Sequence, residues 1–163
     1  MPGIWDENVW EHAEKFKKDG LPAFKVLKDN GAYYMYHNHY MEYDLKEGKR
    51  LMDFFKNDFP EDLMGFTLDT YWLAYRNVDV CDEFLRMKGR IPCVHYKDLI
   101  TMPDGEKRYA PVGTGELDFE KIIKTSLDLG VEYAFVEQDD CYGEDPFVCL
   151  KKSYDYLTKM GLK

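Results

Sequence analysis

Four short stretches of this sequence end in side chains that hold metals or move protons. His37, Asn38 and His39 close "AYYMYHNH" (32–39), and Asp69 lies near the end of "GFTLDTYW" (65–72). His95, Lys97 and Asp98 close "IPCVHYKD" (91–98), and Glu137 and Asp139 close "YAFVEQD" (133–139), with Asp140 next. His37, Asp69, His95 and Glu137 make a mixed nitrogen and oxygen donor set. Such a set suits zinc, manganese, iron or cobalt better than calcium, which prefers oxygen alone. The chemistry would be polarisation of a carbonyl or hydroxyl by one divalent ion, with manganese or zinc first and magnesium also open. Glu137 or a neighbour would move the proton beside it.

The spacing of apolar residues says how these groups are carried. Each stretch is a near-continuous apolar or aromatic run of strand length, as expected for strands covered on both faces of a parallel sheet. Alternation puts His37 and His39 on one side of their strand and Asn38 on the other. Lys97, two residues after His95, shares the side of His95, where it would hold a substrate oxygen or stabilise developing negative charge. Each residue also has a plainer role. A histidine at a strand end is often structural, Asp69 can cap a helix, Glu137 can complete a buried ion pair, and Lys97 can form a surface salt bridge. What favours a metal is that four separate strand ends deliver such groups together, because the carboxyl ends of parallel strands share one face.

Helix-like stretches lie between the strands. Residues 5–30 form a leading helix with a predicted break near "DGLP" (19–22), where Pro22 lacks a backbone N–H. Helical spacing of Leu45, Leu51, Met52 and Phe55 predicts a helix over 45–57. "VDVCDEFLRMKG" (78–89) and "DFEKIIKTSLDLG" (118–130) both stop at a glycine. "DPFVCLKKSYDYLTKMG" (145–161) opens with Asp145 before Pro146, a common helix start. One long loop, 99–117, reads as a lid. The order is a helix followed by four β–α units, an α/β chain with a parallel sheet and right-handed crossovers. At 163 residues it is the size of one domain, residues 1–163.

Composition narrows the partners. A net charge of -9 repels a phosphate backbone and argues against a nucleic-acid ligand. The lysines of 15–18 alternate with acids nearby and read as a solvated helix face. Cys81, Cys93, Cys141 and Cys149 include no C-x-x-C pair, so no zinc knuckle is expected and a reduced, cytoplasmic setting fits. No apolar run is long enough to span a bilayer and no leader pattern opens the chain. Thirteen tyrosines point to a polar-lined pocket or interface, or to ordinary half-buried packing.

The stretches "YHNHYMEY", "LDTYW", "GRIPCVHYKD", "PVGTGELDFEKII" and "YAFVEQD" together resemble the xylose-isomerase-like TIM barrels. That family includes sugar phosphate isomerases and epimerases, inosose dehydratases and relatives of the apurinic endonucleases, and the likeness is to its "YHNH" branch of sugar phosphate isomerase/epimerase proteins. The resemblance implies strands five to eight of a barrel, preceded by a helix, and one divalent metal held by a residue from each of those strands. Asp69, His95 and Glu137 match that pattern directly. His37 stands where relatives usually have glutamate, so a two-glutamate acid–base pair would keep only Glu137. Trp72 stands near where the endonuclease branch needs a further histidine, which with the charge disfavours DNA repair. Trp72 would instead stack on a sugar ring, wall off the pocket or pack in the core, and His39 would join it in contacting substrate.

The expected function is therefore isomerisation, epimerisation or dehydration of a sugar, sugar phosphate or polyol-derived ketone. The alternative is a catalytically incomplete half-barrel that binds a ligand or partner. A TIM barrel needs eight strands and about 250 residues. Half a barrel leaves open edges and an uncovered concave face, so the chain is expected to pair with a second copy or with a chain carrying the other half.

Overall fold

The computed structural model describes residues 7–162. A parallel four-stranded sheet organises the chain: β1 (Tyr34–His37), β4 (Met64–Asp69), β5 (Cys93–Tyr96) and β8 (Tyr133–Val136), in the order β1-β4-β5-β8. The register pairs His37 with Thr67, Asp69 with His95, and His95 with Phe135. Spatial order follows chain order, as the β–α rhythm predicts.

The strands divide their side chains by alternation. Tyr36, Met64, Phe66, Leu68, Val94 and Tyr96 point into one buried cluster with the helices. The opposite face carries Met35, Thr67, Cys93, Tyr133 and Phe135, and at its carboxyl-terminal rim His37, Asp69 and His95. Helices α1 (Val9–Asp29), α2 (Leu51–Asp58), α4 (Val80–Arg86) and α5 (Phe119–Asp128) contribute to the core through Phe24, Phe55, Phe84 and Ile122. α6 (Pro146–Lys159) adds Leu157. Asp118 and Asp145 cap α5 and α6, accepting hydrogen bonds from the N–H of Lys121 and Phe147.

Four sequence expectations are corrected. The predicted break at 19–22 is absent: α1 runs through Pro22 without interruption. Pro22 is exposed, so water can satisfy the carbonyl it frees, while Phe16 and Phe24 on either side pack into the core. Residues 5 and 6 of that prediction lie outside the described residues. The predicted helix over 45–57 begins only at Leu51. Residues 45–50 form a hairpin of β2 (Leu45–Lys46) and β3 (Lys49–Arg50), turned by Glu47 and Gly48, both at positive φ (53° and 76°). Leu45 is accordingly exposed rather than part of an apolar stripe. The predicted lid over 99–117 is not all loop: it contains most of an antiparallel pair, β6 (Asp98–Thr101) and β7 (Lys107–Ala110), with turn and loop in the remainder. Finally, the strand expected over 65–72 ends at Asp69, and Trp72 sits on a short helix, α3 (Thr70–Tyr75).

Candidate metal centre

The end of β1 supplies His37, the end of β4 Asp69 and the third residue of β5 His95. Glu137 follows β8, its N–H donating to Tyr96 O at 3.3 Å so that the strand pairing carries on to it. One donor atom from each of the four lies within 4.8 Å of all the others. Ligands about 2.1 Å from a shared ion sit at most about 4.2 Å apart, so shifts of roughly half an ångström would close the set on a cation. The chain of short contacts is His37 Nε2 to Asp69 Oδ2 at 3.2 Å and His95 Nδ1 to Glu137 Oε2 at 3.1 Å. The His37 and His95 rings lie 4.4 Å apart.

Two observations fit these residues to a divalent ion. His95 Nδ1 is buried and makes no aligned hydrogen bond among the described residues; Glu137 Oε2 is near it but off the donor axis. A buried imidazole nitrogen without a partner is costly unless something else occupies that direction. The second is charge. Lys97 Nζ lies 3.2 Å from Asp69 Oδ2, 3.0 Å from Glu137 Oε2 and 3.1 Å from Asp139 Oδ2. Three carboxylates against one ammonium leave two negative charges, the complement of one divalent cation.

Lys97 is not a surface residue: its side chain is 2% exposed, so the surface salt bridge weighed from the sequence does not describe it. Burial alone would lower its pKa, but Asp69, Glu137 and Asp139 outweigh burial and raise it, so it remains an ammonium ion. Asp69 does two jobs from a fully buried position. Its Oδ1 caps α3, accepting from the N–H of Tyr71 (2.9 Å) and Trp72 (3.2 Å), while its Oδ2 faces His37 and Lys97. The capping role and the site role assigned from the sequence thus coexist on different oxygens.

His39 lies beyond the end of β1, and a buried carboxylate rather than strand pairing places it. Glu42 accepts from the His39 N–H at 2.9 Å and from the Tyr36 hydroxyl at 2.6 Å. The His39 ring lies 4.9 Å from that of His37 and 5.6 Å from that of Trp72. Asn38, fully buried, accepts from the Asp69 N–H at 3.0 Å and so ties β1 to β4 at the rim. Neither Glu42, Asn38 nor the Lys97 partner Asp139 was assigned a role from the sequence. The signal for Asn38 was there, since alternation turns it away from the site and toward the core. Two-residue alternation past β8 puts Asp139 on the side of Glu137, while Glu42 carries no periodic signal.

Burial first, and the neighbouring His37 second, lowers the pKa of both His39 and His95. The folded chain therefore binds these protons more weakly than the unfolded chain, whose imidazoles titrate near 6.5. Stability contributed by the neutral rings is complete above that value and is lost as pH falls through it. For metal-free protein the urea midpoint at pH 5.5 is expected below that at pH 7.5. Equal midpoints would contradict the burial argument.

No family model and no curated protein matches this sequence. Solved structures do. Two, each of a sugar phosphate isomerase/epimerase from Parabacteroides distasonis, are 25% and 26% identical, with TM-scores of 0.76 and 0.78 over 96% and 98% of this chain. A third, the probable 3-DHS dehydratase AsbF from Bacillus anthracis, shares the fold at 18% identity, with a TM-score of 0.68 over 92% of this chain. The match takes in 54%, 56% and 57% of those three proteins, so the chain spans about half their length. It has the fold of the sugar phosphate isomerase/epimerase and xylose-isomerase-like TIM barrels, over about half of one such protein.

Proposed function

We propose that the whole chain, residues 1–163, is one half-barrel domain that binds a single divalent ion, manganese or zinc, through His37, Asp69, His95 and Glu137. Its reaction is proton transfer next to the carbonyl of a sugar, sugar phosphate or polyol-derived ketone, with isomerisation, epimerisation or dehydration as the outcome. The observation that carries this reading is the convergence of four donor atoms within 4.8 Å from four adjacent parallel strand ends. Proteins of similar structure, among them a sugar phosphate isomerase/epimerase, an L-ribulose 3-epimerase and a probable 3-DHS dehydratase, support the substrate class.

When bound, the ion supplies the positive charge that acidifies a C–H bond beside a carbonyl. Glu137, partly open to the concave face, takes or returns that proton. Lys97, held rigid by three carboxylates, faces the oxygen on which negative charge develops. His39 and Trp72, with ring centroids 5.6 Å apart, form the wall against which substrate rests. Described helices include none long and apolar enough to cross a membrane. The four free thiols support a reducing, cytoplasmic setting.

Two measurements test this. Metal analysis after purification should find about one divalent ion per chain, and dialysis against a chelator should remove it together with activity. In deuterium oxide, the loaded protein should exchange the C–H beside the carbonyl of at least one ketose in a panel, read by NMR. Absence of bound metal, or no exchange with any ketose, would favour the second reading, an incomplete half-barrel that binds without turnover. The observation on the side of that second reading is the exposed outer strand β8.

A further inference from the structure

Beside the metal centre lies a groove that, apart from its shared wall at Trp72, the proton-transfer chemistry does not use. It runs between α3 and the β6–β7 hairpin, with a volume of about 640 Å³, and Tyr40, Trp72, Tyr75 and Tyr109 are among its lining side chains. That volume falls within the roughly 300–1,000 Å³ typical of small-molecule sites. The rings are mutually packed yet only partly buried. Tyr40 lies 5.5 Å from Trp72 and 5.3 Å from Tyr75, and Trp72 lies 5.7 Å from Tyr75 and 6.1 Å from Tyr109.

The walls are fixed before any ligand arrives. Lys107 on the hairpin donates to the last carbonyls of α3, Ala74 O at 3.1 Å and Tyr75 O at 2.9 Å, and to Asn77 Oδ1 at 3.1 Å. The Tyr71 hydroxyl donates back to Lys107 O at 3.1 Å. Arg76, paired with Asp44, lies over the Tyr40 ring at 4.8 Å. Aromatic rings have few rotatable bonds, so a cradle of this kind loses little entropy on binding. The groove is also continuous with the centre. Lys97 Nζ lies 5.7 Å from the Trp72 ring and 5.6 Å from the Tyr109 ring, so both rings border the groove and the metal cluster at once.

Partly exposed aromatic faces rimmed by hydroxyl, amide and guanidinium groups match a sugar ring, which has an apolar C–H face and a hydroxylated edge. A single ring at the metal centre, resting on His39 and Trp72, would leave the Tyr40, Tyr75 and Tyr109 side of this groove empty. We propose that the groove is a second sugar subsite, so that the substrate has at least two rings, one reacting at the centre and the other lying on Tyr40, Trp72 and Tyr75. This rests on the reading of the centre as a sugar-processing site.

The test is binding by amide NMR on the full chain, with glucose, cellobiose, maltose and gentiobiose as probes. At least one disaccharide is expected to bind ten-fold or more tightly than glucose, shifting the amides of Tyr75, Arg76, Asn77 and Lys107. Y75A, checked for folding by circular dichroism, should weaken that disaccharide ten-fold or more, and Y75F, which keeps the ring, should retain most of the affinity. Disaccharides that bind no better than glucose, or that leave these amides unmoved, would overturn the subsite. Should Y75A fail to fold, the amide shifts of the parent chain decide alone. Metal titration without sugar is run separately, so loss of the metal reading and loss of the subsite are distinguishable.

Discussion

Asp69→Ala should abolish tight binding of manganese or zinc and lower the unfolding free energy by about 1–2 kcal/mol, the cost of a lost helix cap, because the buried Lys97 keeps Glu137 and Asp139 as partners. Both effects follow from one fully buried carboxylate. On one side the substitution removes the acceptor for two N–H groups at the start of α3, a capping loss of about 1 kcal/mol. On the other it removes one of the three carboxylates that hold the buried Lys97 ammonium, and the partner of His37 Nε2. Asp69→Asn separates the two roles. Asparagine caps about as well as aspartate, so α3 should keep its start, while the loss of charge should still weaken the ion by about 100-fold or more, beyond what second-layer partners contribute. Calorimetric titration gives the affinity, and urea unfolding of the metal-free proteins gives the stability. An Asp69→Asn protein that binds manganese as tightly as its parent would remove Asp69 from the ligand set.

The second large effect concerns assembly. Met35, Tyr133 and Phe135 on the concave face are 37%, 61% and 56% exposed, although they occupy positions that a closed barrel fills with packed layers. Every residue of β8 is exposed or only partly buried, and beside it Ala134, Val136, Leu150 and Tyr154 line an apolar groove between β8 and α6. An exposed apolar strand with unpaired backbone groups invites another strand. We expect the chain to pair with a second copy, β8 of each meeting β1 of the other, which would close eight parallel strands about a two-fold axis. Light scattering should then report twice the 19.3 kDa of the single chain at micromolar concentration. Tyr154→Glu, which puts a charge into the groove, should weaken pairing by about 30-fold or more, the effect of losing a central contact of about 2 kcal/mol. A stable 19.3 kDa species at 100 µM would rule out self-pairing and leave a chain bearing the other half of the barrel as the occupant.

These expectations rest on different layers of the molecule. The sequence by itself determined the four strands and the quartet His37, Asp69, His95 and Glu137, because both are written locally. An apolar run of strand length followed by an ionisable residue needs no knowledge of distant contacts, and parallel β–α order sends every such end to one rim. The sequence did not determine how the connections fold. The turn at Glu47 and Gly48 is hidden in the sequence because Leu45 stands seven residues before Met52, a helical interval, and α1 passes through Pro22 because packing at Phe24 outweighs one lost hydrogen bond. Only the tertiary structure buried Lys97 among Asp69, Glu137 and Asp139, hung His39 on Glu42, and brought Tyr109 of β7 to 4.3 Å from Tyr71 of α3. The Lys97 and Tyr109 contacts join residues far apart along the chain, and the His39–Glu42 bond, though only three residues long, forms in the irregular chain past β1; alternation says which side Lys97 takes but not which carboxylates meet it there.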